Sequence, residues 1–151
     1  MPTALRIPNA CYDEIVAHCR AQYPKEACGI LAGAQPEGDR VVVQSYPMRN
    51  VEESPIGYSM DPKEQLRIDK QMRQRQQRML GIYHSHTATD AFPSSVDVSL
   101  AISPDLSYVL VSLKHQETPD LKVYRIDGAT VTQEEWVFER TPPEPRRIAS
   151  P

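Results

Sequence analysis

The 151-residue chain is 40% hydrophobic and 25% charged, with a formal net charge of −3, which describes one soluble globular domain long enough to bury a core. That balance leaves no broad cationic footprint for nucleic acid, and no apolar run approaches the roughly 18 residues of a membrane span. The opening MPTALRIPNA lacks the basic region and long apolar core of a signal peptide. Three cysteines (Cys11, Cys19 and Cys28), odd in number and without zinc-finger spacing, point to reduced, packed thiols in a cytoplasmic protein.

Leu5-Arg6-Ile7 opens as a short strand or an extended lead-in. Asn9 is a good helix cap, with Asp13 and Glu14 near a helix start that favours anions. Tyr12, Ile15, Val16, Cys19 and Tyr23 then fall at helical spacing to about Gln22, and Pro24 ends the helix. His18 lies off that stripe and reads as a surface side chain. Residues 25–33 (KEACGILAG) suit a central strand opened by a carboxylate, whose glycines imply a close approach or a bend. A turn at 36–39 (PEGD) leads to a hairpin partner over 40–46, and 50–59 reads as a loop or a short irregular strand. Asp61-Pro62-Lys63-Glu64 is a strong start for a helix over 62–78. Its apolar face is thin (Leu66, Ile68, Met72, Met79) and its remainder basic (Arg67, Lys70, Arg73, Arg75, Arg78). This reads as a solvated outer helix, with a docking face for an acidic protein as the alternative. A strand over 79–85, a helix over 95–102 and strands over 107–113 and 121–126 follow, with His115 in a polar loop. Asp127-Gly128 signals a hairpin turn into a last strand within 129–137. The domain is expected to span 1–140, with a proline-rich, disordered tail over 141–151.

The chemistry concentrates in 81–97 (GIYHSHTATDAFPSSVD). Side chains at i and i+2 of a strand share a face, so His84 and His86 can reach one ion, and Asp97 follows eleven residues after His86. Two imidazoles and a carboxylate with an open fourth position form the ligand set of a hydrolytic zinc site. Two buried, hydrogen-bonded histidines would give the same spacing. Ser94 and Asp97 also match a capping arrangement at a helix start, and an aspartate there can do both. Such a site needs a carboxylate to take a proton from water. Glu26 is the best-placed candidate; an exposed strand-end carboxylate is its plain alternative. Cys28, two residues on, reads as a buried thiol rather than part of the pocket.

Glu26, then His84-x-His86, seven residues, Ser94, two residues and Asp97, resembles the signature of the JAMM (MPN-plus) metalloprotease family in order and spacing. The flanking EACGILAG and YHSH are similar to that family too, over residues 5–137. Residues 47–50 (PMRN), 58–61 (YSMD), 83–89 (YHSHTAT) and 108–112 (YVLVS) resemble its small bacterial branch. The resemblance implies an α/β (α+β) fold: a single-domain mixed β-sheet flanked by helices, similar to that of cytidine deaminases. It implies one zinc ion on His84, His86 and Asp97 with water as the fourth ligand. Glu26 would be the general base and then the proton donor to the leaving amine, and Ser94 would help stabilise the oxyanion. The implied partner is a ubiquitin-like sulfur-carrier protein ending in Gly-Gly (CysO-, ThiS- or MoaD-like). Cysteine release from it is the expected reaction, with trimming of a longer tail as the alternative and a non-catalytic scaffold as a further one. Thr87 departs from the proline often found there in eukaryotic relatives. The chain also lacks room for the insertions with which those relatives grip ubiquitin. A deaminase would show His-x-Glu with Pro-Cys-x-x-Cys, and a metallo-β-lactamase an aspartate where this chain has Ala88.

Overall fold

Alternation along CGILAGA sends Cys28, Ile30 and Ala32 to one face of a sheet and Leu31 to the other, so both faces are covered. The computed structural model describes residues 4–35 and 40–139; the expected turn at 36–39 and the tail from Thr141 lie outside the described residues. In chain order the elements are β1 (Leu5–Pro8), α1 (Asn9–Gln22), β2 (Cys28–Ala34), β3 (Gln44–Met48), α2 (Pro62–Gln74), β4 (Gln77–His86), α3 (Ser95–Ser99), β5 (Ser107–Ser112), β6 (Asp120–Asp127), β7 (Thr130–Glu134) and β8 (Trp136–Glu139). Six strands form one mixed sheet in the order β3-β2-β4-β5-β6-β7. Only β4 and β5 pair in parallel within it, and the α3 segment makes their crossover.

Helix α1 buries Cys11, Ile15 and Cys19 against Leu31, Tyr83, Val109 and Val111 on one face. Helix α2 covers the other with Ile68 and Met72, over Cys28, Ile30, Tyr46 and Met48. All three cysteines are buried and free. Among the described residues no helix is long and apolar enough to cross a membrane.

Several boundaries differ from the sequence expectation, each for a local reason. Pro8 is still paired with Glu139 in β1, so α1 begins at Asn9 itself and has no side-chain cap. Helix α2 starts as expected, with the Asp61 carboxylate accepting from Lys63 N–H at 3.1 Å, but ends at Gln74 rather than at 78. Gln76 turns the chain with φ of 54°, and Gln77 and Arg78 are taken up by pairing with β2. Helix α3 stops at Ser99 because the Tyr108 hydroxyl accepts from the amides of Ile102 and Ser103, at 2.8 and 3.0 Å. The single last strand is two: at Glu135 the chain leaves the main sheet, and β8 pairs in parallel with β1. His18 is not a free surface side chain. It is half-buried, shares a 2.6 Å hydrogen bond with the Tyr83 hydroxyl and meets that ring edge-on.

Tyr83 is fully buried and lies directly against Gly29, where an added Cβ would enter its ring. Gly29→Ala should therefore displace Tyr83 and lower the free energy of unfolding by about 1–3 kcal/mol, read as a lower urea midpoint with an unchanged denaturant slope.

Candidate active site

Strand alternation puts Tyr83 and Ser85 on the α1 side of β4 and Ile82, His84 and His86 on the α2 side. Both histidines are buried. The Nδ1 of His86 lies 2.9 Å from the Asp90 carbonyl oxygen. A carbonyl only accepts, so Nδ1 carries the proton and Nε2 presents its lone pair inward in the neutral ring. That Nε2 is 3.0 Å from Asp97 Oδ2 and 3.3 Å from His84 Nε2, while His84 Nε2 is 3.3 Å from Asp97 Oδ1.

Two ring nitrogens and the two oxygens of one carboxylate converging in this way require a proton or a cation among them. The separations of 3.0–3.3 Å are close to the roughly 3.3–3.4 Å edge of a tetrahedron with bonds of about 2.0–2.1 Å. The donor set of His84, His86 and Asp97 therefore fits zinc in size and chemistry. Burial alone would raise the Asp97 pKa, but hydrogen bonds from the inward nitrogens of His84 and His86, when these carry protons, outweigh it and hold the carboxyl well below the usual range. Burial lowers the pKa of His84. At His86 burial acts the same way, yet Asp97 and the Asp90 carbonyl overcome it and the pKa is raised.

Asp97 has a second duty. Its Oδ2 accepts from Ser94 N–H at 2.9 Å, and Ser94 Oγ accepts from Asp97 N–H at 3.1 Å, a complete capping box for α3. The cap and the contacts to both histidines coexist on one carboxylate.

Glu26 precedes β2 and is only 5% exposed. In the β2–β4 register Cys28 faces His84, and continuing it by two residues sets Glu26 opposite His86 on the same face of the sheet. Two bonds fix that continuation: Ser85 N–H to the Ala27 carbonyl at 3.0 Å, and Ala27 N–H to Ser85 Oγ at 2.8 Å. Burial pushes the Glu26 pKa up to about 8, against the pull of His86 and with the help of Asp97 and Glu52. Cys28 is a buried thiol, as expected, donating weakly to the Arg49 carbonyl at 3.9 Å and raised to about 12 chiefly by burial.

Three contributors escaped the sequence reading. Buried Asn50 donates to the carbonyls of Glu26 (3.0 Å) and Gly57 (2.9 Å), and accepts from the amides of Glu52 (3.1 Å) and Ser59 (3.0 Å). It pins the 50–59 loop to the residue that carries the buried carboxylate. Tyr58, in that loop, stacks on His84 with ring centroids 4.5 Å apart and planes 29° from parallel. Ser85, between the histidines, makes the cross-strand tie. An asparagine at a loop entry is a turn signal; the four bonds are visible only in three dimensions. Thr87, off the cluster, donates to the Pro55 carbonyl at 3.0 Å.

A groove of about 210 Å³ runs to Asp97, floored by Tyr58, Met60 and Tyr108 and flanked by Gln65 of α2 and by Leu100 and Ile102. A larger hollow of about 480 Å³ beyond α3 has no titratable lining residue, so the chemistry belongs to the smaller one.

A carboxyl raised from 4.5 to about 8 binds more protons folded than unfolded, so its contribution is complete below pH 4.5 and is lost as pH rises through about 8. Metal-free Glu26→Gln should match the parent in stability at pH 4.5 and exceed it progressively towards pH 8, as followed by urea unfolding at each pH.

Residues 8–127 match the family described as prokaryotic homologs of the JAB domain. The CysO-cysteine peptidase of Mycobacterium tuberculosis is 47% identical over 120 residues, 80% of this chain and 81% of that protein. A desampylase of Haloferax volcanii is 33% identical over 105 residues, 66% of this chain and 74% of its own. The solution structure of a Desulfitobacterium hafniense protein superposes with a TM-score of 0.82 at 40% identity, covering 90% of this chain and 93% of that one. On the strength of these matches, which take in β2, β4 and α3 together, the chain belongs to the prokaryotic branch of the JAB/MPN family.

Proposed function

We propose that this chain is a zinc-dependent hydrolase that cleaves the amide bond after the C-terminal Gly-Gly of a ubiquitin-like sulfur-carrier protein, releasing cysteine. The observation that carries the reading is the buried Glu26 facing the cluster of His84, His86 and Asp97 across one sheet. The higher identity to a protein named for CysO-cysteine cleavage than to a desampylase favours cysteine as the leaving group.

His84, His86 and Asp97 would hold the ion. Zinc bound there supplies Lewis acidity towards the scissile carbonyl and makes water a nucleophile near neutral pH. Glu26 takes a proton from the attacking water and hands it to the leaving nitrogen as the C–N bond breaks. The products are the carrier's glycine carboxylate and a free amine. A carboxyl whose burial sets its proton affinity near neutrality suits both halves of that transfer. Ser94 Oγ already accepts from Asp97 N–H, which leaves its own O–H to donate to the developing oxyanion. The Tyr58 ring holds the His84 imidazole plane, and the Asp90 carbonyl fixes the His86 tautomer.

Incubating the zinc-loaded protein with a carrier–cysteine adduct should lower the carrier mass by one cysteinyl residue. Faster removal of a longer tail from a second carrier would instead favour trimming. Glu26→Gln should keep one zinc per chain by elemental analysis while turnover falls by about 10²–10⁴-fold; full turnover would sink the general-base role. His84→Ala and Asp97→Ala should each lose the metal.

A further inference from the structure

We propose that the outer face of α2 is the docking surface for the body of the carrier protein, and that it selects a carrier whose own contact face is acidic. This rests on the reading of the site as a carrier hydrolase. The groove at Asp97 measures about 210 Å³, enough for an extended chain end but not for a folded domain. The body of the substrate must therefore sit outside, on the rim. Helix α2 forms one wall of that rim through Gln65.

Its exposed residues are distinctive. Lys63, Leu66, Arg67, Lys70, Arg73 and Gln74 face solvent, and no carboxylate does. Their spacing at three and four residues makes one stripe, about 15 Å long at 1.5 Å per residue. The two acidic residues of α2, Glu64 and Asp69, are only partly exposed. Glu64 is turned back, with Oε1 accepting from Arg49 N–H at 2.8 Å and Oε2 pairing with Arg67 at 3.3 Å. A chain of net charge −3 thus gathers a net positive face beside its groove, with Arg67 partly balanced by Glu64 and with Lys63, Lys70 and Arg73 exposed.

Within that face Leu66 is 65% exposed, and across the groove Leu100 and Ile102 are 62% and 65% exposed. Apolar points on the outer face of α2 and on the opposite wall of the groove, with cations around the first, match a protein partner that presents carboxylates around a small apolar contact. A polyanion such as RNA would gain nothing from Leu66, and the net negative charge of the chain would oppose it.

The test uses an acidic ubiquitin-like carrier ending in Gly-Gly, both free and as its cysteine adduct, and a hexapeptide with the same last residues followed by cysteine. Binding of the fluorescently labelled free carrier to the zinc-loaded full chain is followed by anisotropy at two salt concentrations. Arg67→Glu with Lys70→Glu should raise Kd at least tenfold and flatten its salt dependence. The same pair should raise KM for the adduct with kcat unchanged, and leave hexapeptide cleavage as in the parent. Leu66→Ser should weaken carrier binding while keeping the salt dependence. Unaltered carrier affinity in the charge-reversed protein would overturn the docking surface, as would an equal loss on the hexapeptide or binding of polyuridylate as tight as the carrier's. If the parent cleaves neither substrate, the hydrolase reading falls while anisotropy still decides the docking face.

Discussion

Two hydrogen bonds between Ala27 and Ser85 join residues 58 apart in sequence, and the geometry of the site depends on them. Ser85 points to the α1 side while its neighbours His84 and His86 point to the α2 side, so the residue that fastens the strands is one that cannot be a ligand. Its hydroxyl takes an amide that has left the regular ladder, which holds Glu26 on the far side of the same backbone. The core repeats this division of labour. The α1 face is closed by Tyr83 against Gly29, which seats β4 tightly on β2, and the α2 face carries the histidine cluster beside its own packed core.

Asp97 shows how a short element is made dependable. A five-residue helix has little intrinsic stability. It is held by its capping box at one end and by the Tyr108 hydroxyl just past the other. The carboxylate that caps it also faces both histidines. Its low proton affinity is earned by those contacts against the opposing effect of burial.

Much of this was legible in residue order. His-x-His on a strand places two imidazoles on one face, and the Ser94–Asp97 spacing foretold the cap, whose carboxylate meets both histidines. The start of α2 and the Asp127-Gly128 turn followed from local chemistry, whereas the partner strand expected over 40–46 forms at Gln44–Met48 because Arg6 of β1 takes the backbone groups of Arg40 and Val42. What was not legible depended on distant partners. The last strand divides at Glu135 because β1, more than a hundred residues earlier, offers a second edge. Helix α2 ends early because β2 claims Arg78 through pairing with Gly33, which no helical propensity encodes. His18 looked like a surface residue because its partner, Tyr83, comes from another element. Asn50 carries no pattern that reveals four simultaneous hydrogen bonds.

The double use of Asp97 has a thermodynamic consequence. The segment after α3 supplies Leu100 and Ile102 to the groove, so part of the groove wall and the Asp97 carboxylate hang from one short helix. Whatever fixes Asp97 in place also fixes that wall, and a chain end lying along the wall returns the favour by the same free energy. Under the proposed function, affinity for the metal and affinity for the substrate would be a linked pair of binding equilibria, each a measure of how firmly α3 is anchored.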